Sequence, residues 1–489
     1  MIARVLSAIV EGVEGQTIRI EASMRSALPK KITVTGLPGE VVRESRERVR
    51  ACLAHHGFDV PSGQTLVHLS PAQTRKSGSH FDLAIAAALL GLEGKLPDGH
   101  LDGLAFVGEL ALDGRLLPVE ASVALVDRLE NDPSVRAIVA PAANELELAL
   151  LAPRKARLAT CFAEVLRWLT GDADAVRPCA PLETPPTPVR GPLRIDGVRG
   201  QSVAKRALQI ALAGRHHLLL VGPPGVGKTF LASAAEELLP PLSPGEAVRV
   251  CKNQGGELDP RGCFRRPFRA PHHSISASAL LGGGSGTVLA GEVTRADMGV
   301  LLLDEMPEFP RDALEGLREP LQDGVIRLHR VGKAMTLPAR FTLVATMNPC
   351  PCGFAEDPDR RCCCEPRELE RYRRKVSGPL LERIDLCVRL ERPTNDAPEL
   401  PELKGDALRR SIAGLYSPLS ALPELDDDAR KTLQELTTVH RMSPRRAGKV
   451  LAVATTIARL EASPAVGPGH VFEAWALRAP DALPVTPWR

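Results

Sequence analysis

One octapeptide limits this chain more than anything else in it. Gly222, Pro223, Pro224, Gly225, Val226, Gly227, Lys228 and Thr229 follow the spacing G-x-x-x-x-G-K-T. They come after an apolar run at 217–221 and open a helical pattern over 228–239. That strand–loop–helix order is the context a phosphate-binding loop requires. Its glycines let backbone N–H groups close round phosphate oxygens. Lys228 sets a charge against the β- and γ-phosphates, and Thr229 offers a hydroxyl to Mg²⁺. Further runs at 299–303 and 341–346 are apolar on both faces, which predicts a parallel sheet covered by helices.

The chemistry of a nucleotide site sits at the ends of those runs. The first ends in Asp304 and Glu305. Asp304 is assigned to the Mg²⁺ shell, and Glu305 to orienting or deprotonating the attacking water. The other leads to Asn348, whose amide can hydrogen-bond that water or the γ-phosphate. Two acids after a strand are common alone. Their order behind a phosphate loop points to ATP and Mg²⁺ as cofactors.

With 489 residues the chain has the length of about three domains. Hydrophobic residues at 44% and charged residues at 25% exclude disorder throughout. Lys+Arg 62 against Asp+Glu 59 excludes a histone-like binder, though not a local basic groove. Aromatics at 3% leave little for binding single strands by stacking. No run reaches the ~20 apolar residues of a membrane span, and the first residues lack a signal-peptide core. A cytoplasmic location is the expectation. In a reducing compartment, 11 cysteines, five of them between 350 and 364, read as metal or coincidence and not as disulfides.

Proline marks the divisions. The Pro-rich stretch 178–192 reads as a stiff linker, and 392–401 as a weaker one. The expected parts are 1–170, mixed α/β; 171–191, linker; 192–395, the phosphate-loop domain; and 396–489, helical. The patterns predict strands at 18–20, 32–35, 66–69 and 135–140, and helices at 40–53, 81–92, 144–151 and 204–213. C-terminal helices are expected at 426–438, 443–460 and 468–477.

The order of phosphate loop, Asp-Glu strand, Asn strand and Leu380-Leu-Glu-Arg-Ile-Asp385 resembles the AAA+ ATPases. Arg269-Ala-Pro-His-His273, Gly282-Gly-Gly-Ser285, Gly291-Glu292, Asn348-Pro-Cys-Pro-Cys-Gly353 and Ser377-Gly-Pro narrow the resemblance, as do Val34-Thr-Gly-Leu-Pro38 and Glu44-Ser-Arg-Glu-Arg-Val-Arg50. Together they are similar to the magnesium-chelatase-like ATPases of the ComM/YifB type. The likeness covers nearly the whole chain and is weakest near its C-terminus. It implies an α/β fold with a Lon-protease-like N-terminal domain, a P-loop core and a helical lid. It implies a homo-oligomeric ring, a hexamer, in which Arg383 is an arginine finger reaching the neighbour's nucleotide. It also implies a sensor arginine at a helix start, where Arg445 fits best beside Arg446. The activity implied is ATP hydrolysis driving branch migration on single-stranded or branched DNA, in recombination of incoming DNA during natural transformation. Two alternatives stay open: a metal-chelatase or protein-remodelling subunit acting on a protein, and a DNA scaffold whose ATP site only controls assembly.

Arg265, Arg266 and Arg269 form one basic run. Arg327, Arg330 and Lys333 fall on a predicted hairpin whose strands include 325–327 and 335–337. Such side chains neutralise DNA phosphates without reading sequence, and solvated loops or subunit contacts are the alternative. His272 and His273 shape a turn after Pro271, or meet DNA or a neighbour. Cys350, Cys352, Cys362 and Cys364 offer four thiolates to tetrahedral Zn²⁺. Their C-x-C spacing is tighter than usual and Cys363 blurs the choice, so a reduced loop without metal remains the alternative. A Lon-type protease needs a serine activated by a lysine. By the resemblance His80 stands in the serine's position, Ser79 is one residue off, and 108–124 holds no lysine, so no proteolysis is expected.

Overall fold

The computed structural model describes residues 2–25, 31–58, 64–94, 96–97, 99–182, 193–255, 264–283, 289–330, 333–355, 357, 360–392, 404–416 and 422–478; of 289, 329, 330 and 333 it describes the backbone. They fall into two compact units, 1–187 with 243–264, and 188–242 with 265–489.

The first unit grows from a hairpin. Ile2–Glu11 pairs antiparallel with Glu14–Arg25, and Gly12 takes φ 67° in the turn, as tight hairpins require. The hairpin lies in the middle of an eight-stranded mixed sheet, in the order 177–178, 156–159, 137–141, 104–106, 2–11, 14–25, 64–70 and 31–35. Helix Asp82–Leu92 is buried along its length except at Gly91, because it is apolar on every side and packs on the hairpin. Gly91 permits that approach: a Cβ there would come within 2.8 Å of the Ala3 Cβ. The strands and helices expected at 18–20, 32–35, 40–53, 66–69 and 81–92 all lie in observed elements of the same type. Segment 144–151 departs from expectation. It is a chain of short turns, with Glu145–Leu148 its one α-helical piece.

The Pro-rich stretch does not start as a free linker. Arg177–Pro178 pairs with Ala156–Ala159 as an edge strand, where proline's missing N–H costs no ladder bond. Cys179 is buried in the same core, and Leu182 packs against it. Residues 183–192 lie outside the described set.

The second unit carries a five-stranded parallel sheet in the order Phe268–Arg269, Val300–Leu303, Thr342–Met347, Leu218–Val221, Leu386–Arg389. Its three middle strands are buried at every position, as runs apolar on both faces require. Helices Gly405–Tyr416, Asp427–Val439, Pro444–Leu460 and Pro468–Ala476 do not form a core of their own. Leu408, Ile412, Val450, Ala454, Ile457 and Val471 share one cluster with Leu218, Leu220, Val344 and Leu386. One helix leaves this unit altogether. Pro244–Gln254 starts in a Ser243/Glu246 capping box and belongs to the first unit, where Lys252 meets Asp127 at 2.6 Å and Glu14 at 3.0 Å. No helix among the described residues is long and apolar enough to cross a membrane.

A buried histidine makes the second unit sensitive to acid. His216 bonds the Thr456 hydroxyl at 2.8 Å through Nε2. Burial pushes its pKa down from 6.5 to about 4, against the pull of Asp385 and with the help of His217 and Lys449. A base held below its unfolded pKa takes up protons on unfolding, so its stabilisation is whole above 6.5 and falls as pH drops toward 4. The urea midpoint should therefore fall from about pH 7 to about pH 5, and His216→Gln should show a smaller fall. Equal falls in both proteins would remove His216 from this account.

Candidate functional site

The phosphate loop leaves the sheet where Val221 ends its strand, and Gly222 donates to the Met347 carbonyl at 3.2 Å. Gly225 and Gly227 take φ 82° and 89°, a region glycine enters without strain. Lys228 is buried. Its Nζ donates to the carbonyls of Gly222 and Pro223, each at 2.8 Å, and to Asn348 Oδ1 at 3.0 Å. Burial lowers its pKa, while Asp304 and Glu305 act to raise it. The lysine and asparagine singled out in the sequence thus touch, although 120 residues separate them.

The acids converge on the same edge. Thr229 Oγ1 donates to both Asp304 oxygens, at 2.9 and 3.1 Å. These hard oxygen donors, on adjoining residues of one site, have the chemistry Mg²⁺ takes. Thr346 supplies a link that the sequence does not reveal. Its hydroxyl donates to Asp304 Oδ1 at 2.5 Å and accepts the Glu305 N–H at 3.0 Å. Glu305 itself sits at φ 54°, a left-handed conformation that costs a non-glycine residue about 1–2 kcal/mol. Tyr372, also unannounced by any motif, donates its hydroxyl to the Asn348 carbonyl at 3.2 Å.

Arg383 lies at the other edge. Leu386 pairs with Leu218 at the start of two parallel strands, whereas the phosphate loop follows Val221 at their end. Four residues of strand, about 13 Å, separate the two edges. Arg383 donates to the carbonyls of Arg318 (2.8 Å) and Pro379 (2.6 Å) and to Gln322 Oε1 (2.8 Å). Arg445, exposed in the first turn of Pro444–Leu460, donates to the same Gln322 oxygen at 2.9 Å. Burial lowers the Arg383 pKa, and the charges of Arg445 and Arg318 lower it further.

Beyond Asn348 the chain enters the cysteine loop. Cys350 Sγ lies 3.3 Å from that of Cys352 and 3.7 Å from that of Cys362, and the Cys352 and Cys362 sulfurs are 3.6 Å apart. With Cys364, all four lie within 4.8 Å of one another. Cys363 is exposed and outside the group.

The basic residues fare unequally. Arg266 needs correction as a DNA contact: it is buried, bonds the carbonyls of Pro240 (3.1 Å) and Met298 (2.9 Å), and stacks on Tyr416. A guanidinium so enclosed is structural. Arg269 is paired with Glu292 at 2.6 and 2.8 Å, and Arg327 with Glu319 and Asp323 at 2.6 and 2.9 Å. Arg265 is exposed. The predicted hairpin forms, with Val325–Arg330 antiparallel to Lys333–Pro338, but the side chains of Arg330 and Lys333 lie outside the described set. Part of the glycine motif, 284–285, lies outside it too. His272 and His273 stack at 4.1 Å in a turn closed by the Ile275 N–H on the His272 carbonyl. In the first unit Ser79 Oγ bonds Glu109 and the His80 ring bonds the Ala8 carbonyl at 2.9 Å. Among the described residues neither is bonded to a lysine, the base a Lon-type mechanism needs.

Family comparisons agree with this geometry. A model described as "Magnesium chelatase, subunit ChlI" matches residues 194–397, "Subunit ChlI of Mg-chelatase" matches 20–144, and "Magnesium chelatase, subunit ChlI C-terminal" matches 417–478. An uncharacterized protein of Mycobacterium tuberculosis is 42% identical over 395 residues, 80% of this chain and 77% of that protein. YifB of Escherichia coli is 36% identical, with 96% of each chain covered. Competence protein ComM of Haemophilus influenzae is 34% identical over 98% of this chain and 97% of its own. With a G-x-x-x-x-G-K-T loop, two acids and an asparagine gathered on one sheet edge, likeness that runs almost end to end puts this chain in the magnesium-chelatase-like ComM/YifB family of AAA+ ATPases.

Proposed function

We propose that this chain is an ATP-hydrolysing ring motor that acts on DNA and drives branch migration during recombination of incoming DNA. The observation that carries the reading is the division of the machinery between two edges of one sheet. Lys228, Thr229, Asp304, Glu305 and Asn348 occupy one edge, and Arg383 and Arg445 the other. The arginines repel one another and are held by neutral acceptors, so a phosphate brought by another subunit would bind them better than their present partners. A head-to-tail contact of this kind closes into a ring, here a hexamer, when its rotation allows.

In this reading Lys228 binds the β- and γ-phosphates, and Thr229 with Asp304 holds Mg²⁺, which neutralises charge on the transferring phosphoryl group. Glu305 orients the attacking water and takes its proton. Asn348 steadies the γ-phosphate, Arg383 enters the neighbour's site, and Arg445 acts as the sensor. The helices over 405–478 serve as the lid, and the first unit as a non-proteolytic Lon-like domain. DNA as substrate rests on the competence role in the name of the Haemophilus relative and on the basic hairpin. Arg265, Arg330 and Lys333 are the residues we assign to phosphate contact. The location proposed is cytoplasmic. A protein-remodelling role is the second reading, favoured by the chelatase-subunit family models.

The first test is ATP turnover with no DNA and with single-stranded, duplex and four-way-junction DNA, using Glu305→Gln as the blank. Stimulation by single-stranded or branched DNA is expected; a rate indifferent to every DNA would favour a protein client. Lys228→Ala should abolish nucleotide binding, and normal turnover by that variant would sink the site. Thr346→Val should lower turnover about tenfold, about 1.4 kcal/mol, with nucleotide affinity retained; unchanged turnover would show the hydroxyl to be idle. Mixing Arg383→Ala with Glu305→Gln subunits should restore some hydrolysis, because one interface then regains both groups. No recovery in verified mixed rings counts against action between subunits.

A further inference from the structure

We propose that Cys350, Cys352, Cys362 and Cys364 bind one Zn²⁺, and that this ion locks the loop after the sensor strand onto the phosphate loop, making nucleotide affinity depend on zinc. The coupling rests on the nucleotide reading of residues 222–229; the metal site does not.

The cage is built. Four sulfurs at about 2.3 Å from one zinc stand about 3.8 Å apart along the edges of their tetrahedron. The separations of 3.3, 3.6 and 3.7 Å among Cys350, Cys352 and Cys362 are close to that edge, and Cys364 lies within 4.8 Å of each. Two backbone donors point at the cluster: Cys352 N–H to Cys364 Sγ at 3.3 Å, and Ala355 N–H to Cys350 Sγ at 3.2 Å. Donors of this kind stabilise thiolates and fix metal ligands. Soft thiolates select zinc over Mg²⁺, and sulfurs gathered this closely suit a single ion.

The cage also touches the nucleotide machinery. Asn348, two residues before Cys350, accepts the Lys228 ammonium. Gly353, next to Cys352, turns at φ 85°, and a Cβ there would lie 2.5 Å from Pro224 Cδ in the phosphate loop. Its N–H bonds the Cys350 carbonyl at 3.0 Å, so the close approach and the ligand pair form one turn. On the other side, Pro366–Arg374 begins two residues after Cys364 and carries Tyr372, whose hydroxyl returns to the Asn348 carbonyl. A zinc joining Cys350 and Cys352 to Cys362 and Cys364 ties both ends of this circuit. The ion would add to the Lys228 and Tyr372 bonds a constraint that holds Gly353 and Asn348 against the loop that binds phosphate.

The test uses the full chain purified under reducing conditions. Metal analysis should give about one zinc per chain, and Co²⁺ exchanged into the site should show tetrahedral thiolate absorption. Chelation should weaken binding of a fluorescent ADP analogue about tenfold or more, and ZnCl₂, but not MgCl₂, should restore it. Circular dichroism checks that the stripped protein stays folded. Gly353→Ala keeps every thiolate, so it should retain zinc yet lose nucleotide affinity, and Cys363→Ser should change neither. Iron in place of zinc, or well under one equivalent with no uptake of added zinc, overturns the metal site. Zinc removal and Gly353→Ala that both leave nucleotide affinity intact overturn the coupling. If zinc-loaded protein binds no nucleotide, the phosphate-loop reading fails and the coupling with it, while the zinc count still decides the metal site.

Discussion

Five parallel strands bring all their carboxyl ends to one edge of the sheet, and the site depends on that alignment. Val221, Leu303 and Met347 end neighbouring strands in register, with Leu220 opposite Thr346 and Leu303 opposite Ala345. The residues that follow are Gly222, Asp304 and Asn348. Their convergence needs no contact between distant loops, because the backbone ladder already sets their spacing. Thr346 completes it, sitting one residue before the middle strand's end and bonding side chain and backbone of the Asp-Glu pair at once. The buried threonine is satisfied in this way, and its hydroxyl ties the half-buried Asp304 to the backbone of the exposed Glu305.

The same alignment sends Arg383 to the far edge, where the surrounding network fixes the backbone and leaves the side chain exchangeable. Lys449 donates to the Arg383 carbonyl at 2.6 Å and to Asp385 at 2.7 Å. Arg478 donates to the carbonyls of Ile384, Asp385 and Glu382, and His217 N–H donates to Asp385. Segment 382–385 is thus anchored by charged donors. The guanidinium of Arg383, in contrast, meets carbonyl and amide oxygens, which carry no net charge. A fixed stem whose tip meets only uncharged acceptors fits the role between subunits that we propose for it.

Much of this was legible in the sequence for a local reason. Phosphate loops and strand-end acids are short motifs whose backbone carries the chemistry, so spacing alone locates Lys228, Asp304 and Asn348. Thr346 was not legible, since a threonine inside a strand reads as an ordinary β-branched residue. Arg266 misled for the opposite reason. In a run of arginines nothing distinguishes one that will be buried over Tyr416 from one that stays in solvent. Helix Pro244–Gln254 has a clear capping box, but amphipathic spacing does not say which core a helix joins. The proline-rich stretch concealed its first residues because an edge strand accepts Pro178 as readily as a linker does.

In the proposed DNA-binding reading, charge separates the two ends of the hairpin. At its base Arg327 is bonded by two carboxylates, so that position carries net negative charge and attracts no phosphate. At its tip the register sets Arg330 directly opposite Lys333. The DNA contact we propose therefore falls to residues 330 and 333, at the end of the hairpin away from that acidic base.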